Sequence, residues 1–244
     1  MRTVTAGMVL LSAAVAAPGP ATAASCRLES PRTRMPVVEL YTSEGCSSCP
    51  PADRWLSGLK EAAAAGKVVA QAFHVGYWDH IGWVDRFAAP AHTARQREIA
   101  RRRGTNTIYT PQLVRDGADS RDYAGVLDAR PEPAGASIRL EREGDSAQAQ
   151  VVPESPGGRW AAYWTVTEHG HASKVKAGEN AGEFLQHDFV VRQFVPMGTY
   201  RGAHKLALRP LPAAPGHPQQ LNVVVFDPAD GRTLQALSLQ CAGG

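Results

Sequence analysis

Two cysteines separated by two serines, Cys46-Ser47-Ser48-Cys49, are the feature that most restricts what this chain can fold into. The apolar, β-branched residues 36–41 come just before them and predict a buried strand. Residues 47–65 carry an apolar stripe, have two prolines near their start and end at Gly66, a pattern typical of a helix. Residues 67–75 predict the next strand. The order is therefore strand, Cys-x-x-Cys, helix, strand.

This order is typical of a redox-active dithiol in a thioredoxin-like domain. Cys46 is expected near the N-terminus of the helix, where unpaired N–H groups and the helix dipole stabilise negative charge and lower the pKa of a thiol. A thiolate attacks a partner disulfide, and a second cysteine resolves the mixed disulfide. We therefore predict a thiol–disulfide oxidoreductase in which Cys46 is the nucleophile and Cys49 is the resolving thiol.

Thr110-Pro111 stands directly before another predicted strand, residues 112–115. In thioredoxin-like folds, a cis-proline at this place packs against the dithiol and offers backbone hydrogen bonds to the partner peptide. Only about 5–6% of X–Pro bonds are cis, but the position in the motif order favours a cis bond here. We therefore include Thr110 and Pro111 in the predicted site.

Other side chains near the dithiol are candidates for supporting roles. Glu39, on the strand that enters the motif, is a candidate carrier for the proton of Cys49; the alternative is a partly exposed strand residue. Trp78, Asp79 and Trp83 are candidates for a rim that contacts the substrate, and the alternative is loop aromatics that pack onto the domain. Glu44 opposes a thiolate on Cys46, so a strongly acidic thiol is not expected.

Two other classes of function stay open. Thiolates and imidazole suit copper, so Cys46, Cys49 and His74 form an alternative metal site, whereas a core histidine is the structural reading of His74. A four-cysteine zinc site is disfavoured because a second Cys-x-x-Cys is missing. The other alternative is a non-catalytic module whose β-rich part binds a partner. No cofactor is predicted.

The N-terminal residues 1–23 have the layout of a secretory signal. A short cationic start precedes the apolar residues 4–17, and Ala21-Thr22-Ala23 fits the cleavage site. The apolar run is shorter than the roughly 20 residues that a membrane span needs; an uncleaved anchor is the alternative. We therefore expect an exported protein, periplasmic or secreted, without a stable membrane span after cleavage, and we expect exported protein thiols or disulfides as its partners.

The two remaining cysteines, Cys26 and Cys241, stand at the ends of the mature chain. Disulfides persist in exported proteins, so the most economical pairing adds a Cys26–Cys241 bridge to Cys46–Cys49. Such a bridge closes a loop of about 215 residues, for which chain-entropy models give roughly 4–5 kcal/mol. Unrelated thiols or an intermolecular link are the alternatives.

The chain is expected to have two domains after the signal. Residues 24–130 predict the thioredoxin-like domain, with a helix over 90–103 and a hairpin at Asp116-Gly117. The proline-containing residues 131–135 predict a linker. In residues 131–244, alternating apolar and polar runs and short strands between turn signals predict a β-sandwich-like domain. The fold class is thus an α/β thioredoxin-like domain followed by a β-sandwich-like all-β domain.

Charge gives no sign of a nucleic-acid partner. The formal net charge is only +3. The basic run at residues 95–103 spreads its arginines over much of a helix surface and has no stacking aromatics beside it. A solvated helix face is therefore expected.

Several motifs resemble those of a bacterial exported family known only as a domain of unknown function (number 1223). The matching segments are residues 37–53, 73–79, Gly82-Trp83, 94–96, 109–112 and 178–182. Gly76 departs from the pattern, since the family more often has an acidic residue there. The resemblance implies a thioredoxin-like domain with a β-rich appendage, and it supplies no substrate.

Overall fold

A computed structural model of the chain describes Met1 and residues 25–128 and 130–241. Apart from Met1, the predicted signal at residues 1–23 lies outside the described residues. Of the described residues, 42% are in strands and 16% in helices, so the protein is mostly β. None of the helices in this described part is long and apolar enough to cross a membrane.

The elements of the first half surround the Cys-x-x-Cys segment. In chain order they are β1 (Ser25–Glu29), β2 (Val37–Thr42), α1 (Pro50–Ser57), α2 (Lys60–Ala64), β3 (Val69–His74), a 3-10 helix (Gly76–Ile81), α3 (Pro90–Arg102), β4 (Gln112–Arg115), β5 (Ala118–Ser120) and a second 3-10 helix (Ala124–Val126).

Strands alone form the second half in the described residues. They are β6 (Ala136–Glu143), β7 (Ser146–Pro153), β8 (Arg159–Glu168), β9 (His171–Lys174), β10 (Phe184–His187), β11 (Val190–Arg201), β12 (His204–Leu208), β13 (Gln219–Phe226) and β14 (Thr233–Leu239).

The predicted fold class is wrong, because strands from both halves share one sheet. Within the described residues that sheet has eight strands in the order β14-β13-β8-β11-β3-β2-β4-β5. The two halves meet where β11 runs parallel to β3, with Val190 beside Ala72, and the N–H of Ala72 donates to the carbonyl of Phe189 at 2.8 Å. There is therefore no α/β thioredoxin-like domain followed by a separate β-sandwich. A buried apolar run predicts a strand but not the neighbour with which it pairs.

A second sheet, in the order β1-β6-β7-β12, packs on the half of the large sheet that β8, β13 and β14 form. Its strands β6 and β7 alternate between buried and exposed residues, as the sequence predicted. The core between the sheets contains the fully buried Trp160 and Trp164 together with Leu140. The second half is thus layered, but one of its layers belongs to the shared sheet.

The other half of the large sheet is covered by helices on both faces. Leu40 packs with Leu56 of α1, whereas its neighbour Tyr41 packs with Ile99 of α3, because successive strand residues point to opposite faces. The predicted helix at residues 47–65 is divided into α1 and α2. The predicted hairpin at Asp116-Gly117 is confirmed, and both residues have positive φ, as a two-residue hairpin turn requires.

The second disulfide is also confirmed, since Cys26 on β1 is bonded to Cys241 just after β14. The Cα atoms are 5.8 Å apart and the two residues are 215 positions apart in the chain. Cys26 and Cys241 both pack against the core between the two sheets. The bridge therefore joins the two ends of the described range 25–241 at this core.

Replacing Cys26 and Cys241 together with alanine is expected to lower the free energy of unfolding by roughly 4–5 kcal/mol, because the unfolded chain gains the freedom of a long open loop. Guanidinium unfolding of the variant and the unchanged protein measures the difference. The control repeats both measurements with a reductant present. The difference in the free energy of unfolding should then become smaller, because the bridge is also reduced in the unchanged protein. Equal stability under oxidising conditions would show that the bridge contributes nothing.

Candidate functional site

The Cys46–Cys49 pair forms a disulfide at the start of α1. After β2 ends, the N–H of Cys46 donates to the carbonyl of Ser43 at 3.2 Å, and the N–H of Cys49 donates to the carbonyl of Cys46 at 3.1 Å. Cys49 is the N-cap of α1, and a proline follows in the first turn, where its missing N–H costs no helix hydrogen bond. These two turns bring the Cα atoms of the cysteines to 5.4 Å.

The two cysteines are nearly inaccessible, although the residues between them are exposed. Cys46 is 1% exposed and Cys49 is 0% exposed, whereas Ser47 and Ser48 lie on the surface. The hydroxyl of Ser48 is 3.3 Å from the sulfur of Cys46. The disulfide thus lies just beneath a surface segment of two serines.

The cis bond predicted between Thr110 and Pro111 is confirmed. The indole N–H of Trp78 donates to the hydroxyl of Thr110 at 2.7 Å. Trp78 also packs on Gly45, where a side-chain Cβ would come within 3.0 Å of the Cβ of Trp78. Trp78 therefore links the Thr110-Pro111 segment to the residue that precedes Cys46, and Gly45 allows this close approach.

The three predicted rim residues lie close to the loop that enters the motif. The indole N–H of Trp83 donates to a carboxylate oxygen of Glu44 at 2.7 Å, and Asp79 accepts the N–H of Asp85 at 3.1 Å. All three rim side chains are partly exposed. A cleft of about 370 Å³ opens beside Asp79, between the 3-10 helix and the start of α3.

Glu44 is a buried carboxylate two residues before Cys46. It is 0% exposed, and one of its oxygens is 3.2 Å from Nε2 of His187 on β10. Burial alone raises the pKa of Glu44, but the contacts with His187 and Trp83 outweigh it and hold the pKa below its usual value. Glu44 therefore carries its negative charge at neutral pH.

His74 pairs with Asp85 rather than with a cysteine. The Nδ1 of His74 is 2.7 Å from Asp85, and both side chains are buried. Burial opposes the charge on each group, yet the pairing raises the pKa of His74 and lowers that of Asp85 to about 2. The same carboxylate oxygen of Asp85 accepts the N–H of Glu44 at 2.9 Å. The pair thus also holds the loop that leads to Cys46.

The alternative copper site gains no support from this geometry. In the described part of the chain, His74 is paired with Asp85 through Nδ1. In that same part of the chain, no group of three or more His, Cys, Asp or Glu side chains is arranged to hold a metal ion.

Glu39 lies in a buried ion pair with Arg95 of α3. Arg95 donates to both carboxylate oxygens, at 2.8 and 2.5 Å, and the hydroxyls of Tyr41 and Tyr163 donate at 2.8 and 2.9 Å. Burial favours the neutral acid, but Arg95 keeps the pKa of Glu39 below its usual value. With both oxygens occupied, the carboxylate joins three elements of the fold, β2, α3 and β8. The expectation that residues 95–103 form only a solvated face is wrong at Arg95, which is 7% exposed.

Residues of the second half reach the dithiol, which the sequence did not predict. The carboxylate of Glu179 accepts the N–H of Ser47 at 2.9 Å. The side-chain amide of Asn180 donates to the carbonyls of Glu44 and Cys46 at 2.9 and 3.0 Å. In the sequence, Glu179 and Asn180 stand between two glycines, Gly178 and Gly182, a pattern that indicates a turn but no contact with the dithiol.

Asp53 is a further buried acid near the dithiol that the sequence did not single out. Its N–H donates to the carbonyl of Cys49 at 3.1 Å, one turn into α1. The side chain is buried, and this burial raises the pKa of its carboxyl group.

Fold and site together define a mostly β protein with a Cys-x-x-Cys disulfide at the start of a helix, covered by residues from both halves of the chain. A family model described as "Protein of unknown function (DUF1223)" matches residues 37–226, and the chain belongs to this family. The resemblance seen in the sequence motifs is thereby confirmed.

Two solved structures are similar in fold. Protein AGR_C_4864 from Agrobacterium tumefaciens has a TM-score of 0.67 and 22% sequence identity, with 86% of this chain and 96% of that chain covered. HBP35 of Porphyromonas gingivalis has a TM-score of 0.58 and 12% identity, with 88% of this chain and 77% of that chain covered. At these identities the likeness concerns the fold alone. No match was found among curated proteins.

Proposed function

We propose that the protein exchanges disulfides with thiols or disulfides of exported proteins through Cys46 and Cys49. The observation that carries the proposal is the Cys-x-x-Cys disulfide closed at the N-terminus of α1. The positive end of a helix dipole stabilises a thiolate formed there. Two cysteines three positions apart can also open and close a disulfide without a large movement of the chain.

The exchange proceeds in two steps. A partner thiolate attacks the sulfur of Cys46; a new Cys46–partner disulfide forms, and Cys49 leaves as a thiolate that takes up a proton. A second partner thiolate then attacks the partner sulfur, so that the partner gains a disulfide and Cys46 leaves as a thiolate. Two electrons pass from the partner to the Cys46–Cys49 pair. The reverse sequence reduces a partner disulfide and oxidises the pair.

Several features near the pair support contact with a protein partner. Ser47 and Ser48 are exposed directly beside the disulfide. Trp78 and Trp83 border the same loop. The two disulfides fit an oxidising compartment, so we place the activity in the periplasm or outside the cell.

Trapping of mixed disulfides tests this function. In cells that produce the Cys49→Ala variant, partner proteins are expected to stay attached to Cys46, because no resolving thiol remains. The variant that also carries Cys46→Ser is the control and should capture nothing. Identification of the captured proteins then gives the substrates.

The reduction potential of the purified protein provides an independent measurement. A catalytic pair is expected between roughly −120 and −270 mV. A potential below about −300 mV, together with the absence of exchange and of captured partners, would show that the pair is a structural bridge.

A further inference from the structure

The segment that connects β9 and β10 lies against the dithiol loop. These two strands form a separate two-stranded sheet, and we call residues 178–182 between them the hairpin turn. The turn is closed by the N–H of Gly182, which donates to the carbonyl of Val175 at 2.9 Å. Gly178 and Gly182 both have positive φ, a conformation that glycine adopts without strain. The turn therefore has a defined shape that presents Glu179 and Asn180.

Asn180 holds the backbone at Cys46 and at Glu44, two residues earlier. Its side chain is 5% exposed, and its single amide nitrogen donates to two carbonyls, those of Glu44 and Cys46. A side-chain amide group carries two N–H donors, so both are used here. Because these two carbonyls flank Gly45, the contact holds the loop that carries Cys46 against the second half of the chain.

Glu179 acts on the charge that a thiolate at Cys46 would carry. Its carboxylate accepts the N–H of Ser47, the residue after Cys46, at 2.9 Å. Backbone N–H groups at such a position stabilise a nearby anion, and here one of them is already bonded to a carboxylate. That N–H lowers the pKa of Glu179, so the carboxylate is charged. Together with Glu44, it places two negative charges near Cys46.

We propose that the hairpin turn is a positioning element that keeps the Cys46–Cys49 pair covered and in its disulfide form. The inference rests on the proposed function, which needs a partner to reach Cys46. Since Cys46 is 1% exposed, the turn leaves the Cys46–Ser47 backbone when a partner enters. Its departure frees the N–H of Ser47 and removes one carboxylate, and both changes favour the thiolate. Access to Cys46 and its reactivity are thus coupled through one turn.

The charge of Glu179 is tested with Glu179→Gln, which keeps an oxygen acceptor for Ser47 and removes the negative charge. The equilibrium between the protein disulfide and glutathione is expected to move toward the reduced protein by about two- to fivefold at low salt, as for an exposed charge contact. This shift should disappear near 1 M salt, where exposed charges are screened within about 3 Å. Glu183→Gln, an exposed glutamate just beyond the same turn, is the matched control and should cause no shift.

The contact of Asn180 with the loop that carries Cys46 is tested with Asn180→Ala in the Cys49→Ala background. Alkylation of Cys46 by iodoacetamide is expected to become at least about tenfold faster. A tenfold change in rate corresponds to a decrease of only about 1.4 kcal/mol in the free energy of activation. Glu183→Gln in the same background is again the control. Thermal unfolding of each variant separates local release of the turn from general loosening.

The outcomes distinguish this inference from the proposed function. If Glu179→Gln leaves the glutathione equilibrium unchanged and Asn180→Ala leaves the alkylation rate within about twofold, against the tenfold expected, the hairpin turn is not a positioning element. If those variants respond as expected but the Cys49→Ala variant captures no partner in cells, the inference stands and the proposed function fails.

Discussion

Replacing Arg95 with leucine is expected to lower the free energy of unfolding by about 3–5 kcal/mol, because it leaves the buried carboxylate of Glu39 without its cation. Arg95 donates to both oxygens of Glu39, and its guanidinium lies 4.0 Å from the ring centre of Tyr163. Tyr41 and Tyr163 still donate to the carboxylate after the change, but two neutral hydroxyls cannot replace a charge. Guanidinium unfolding, with the disulfides intact, measures the loss.

The double variant Glu39→Gln with Arg95→Leu is the control for this prediction. It removes both charges, so no uncompensated ion stays buried, and we expect it to be more stable than Arg95→Leu alone. A loss of less than about 1 kcal/mol in the single variant, the size expected for an exposed pair, would contradict a buried pair at this place.

Features with local causes were predictable from the sequence. A strand, a Cys-x-x-Cys and a helix follow one another at residues 37–57 because turn residues and prolines mark each boundary. Asp116-Gly117 predicted its hairpin because these two residue types tolerate positive φ. The Cys26–Cys241 bridge followed from cysteine counting in a chain with few cysteines. Each of these inferences depends on residue type and short spacing.

Long-range pairing was not predictable in the same way. The two halves form one sheet because Val190 pairs with Ala72. The sequence of an apolar strand does not indicate which strand it pairs with. The hairpin of β9 and β10 was missed because each strand has only four residues, too few to show a period. The glycines on either side of Glu179 and Asn180 indicate a turn, but nothing in the sequence indicates its contact with residues more than 130 positions earlier.

Buried charges explain the remaining differences. Glu39 and Arg95 are 56 residues apart in the chain, and each alone is typical of a surface side chain. From the sequence, His74 could be either a core residue or a metal ligand. In the structure it forms a buried pair with Asp85. Burial of a charge is stable only when its partner is present, so a sequence read locally assigns such residues to the surface.

Replacing Asp85 with asparagine is expected to destabilise the protein by about 3–5 kcal/mol in mildly acidic solution, because His74 is then a buried cation without a partner. Asp85 has a lowered pKa, so its contribution is complete above pH 3.8 and is lost as the pH falls through about 2. His74 has a raised pKa, so its contribution is complete below pH 6.5 and is lost as the pH rises through the folded-state value. The pair therefore stabilises the fold most between pH 3.8 and pH 6.5.

Unfolding by guanidinium at about pH 5 and about pH 9 tests this dependence. The cost of Asp85→Asn should be clearly smaller at the higher pH, where neutral His74 can share a hydrogen bond with the asparagine amide. Asp122→Asn is the matched control, since Asp122 likewise accepts a backbone N–H, that of Gly125, but is not the partner of His74, and its cost should not change between these two values. A cost of Asp85→Asn that is the same at both would mean that its carboxylate acts only as an acceptor for the N–H groups of Glu44 and Phe87. In that case Asp85 would shape the loop before Cys46 without any contribution from the charge of His74.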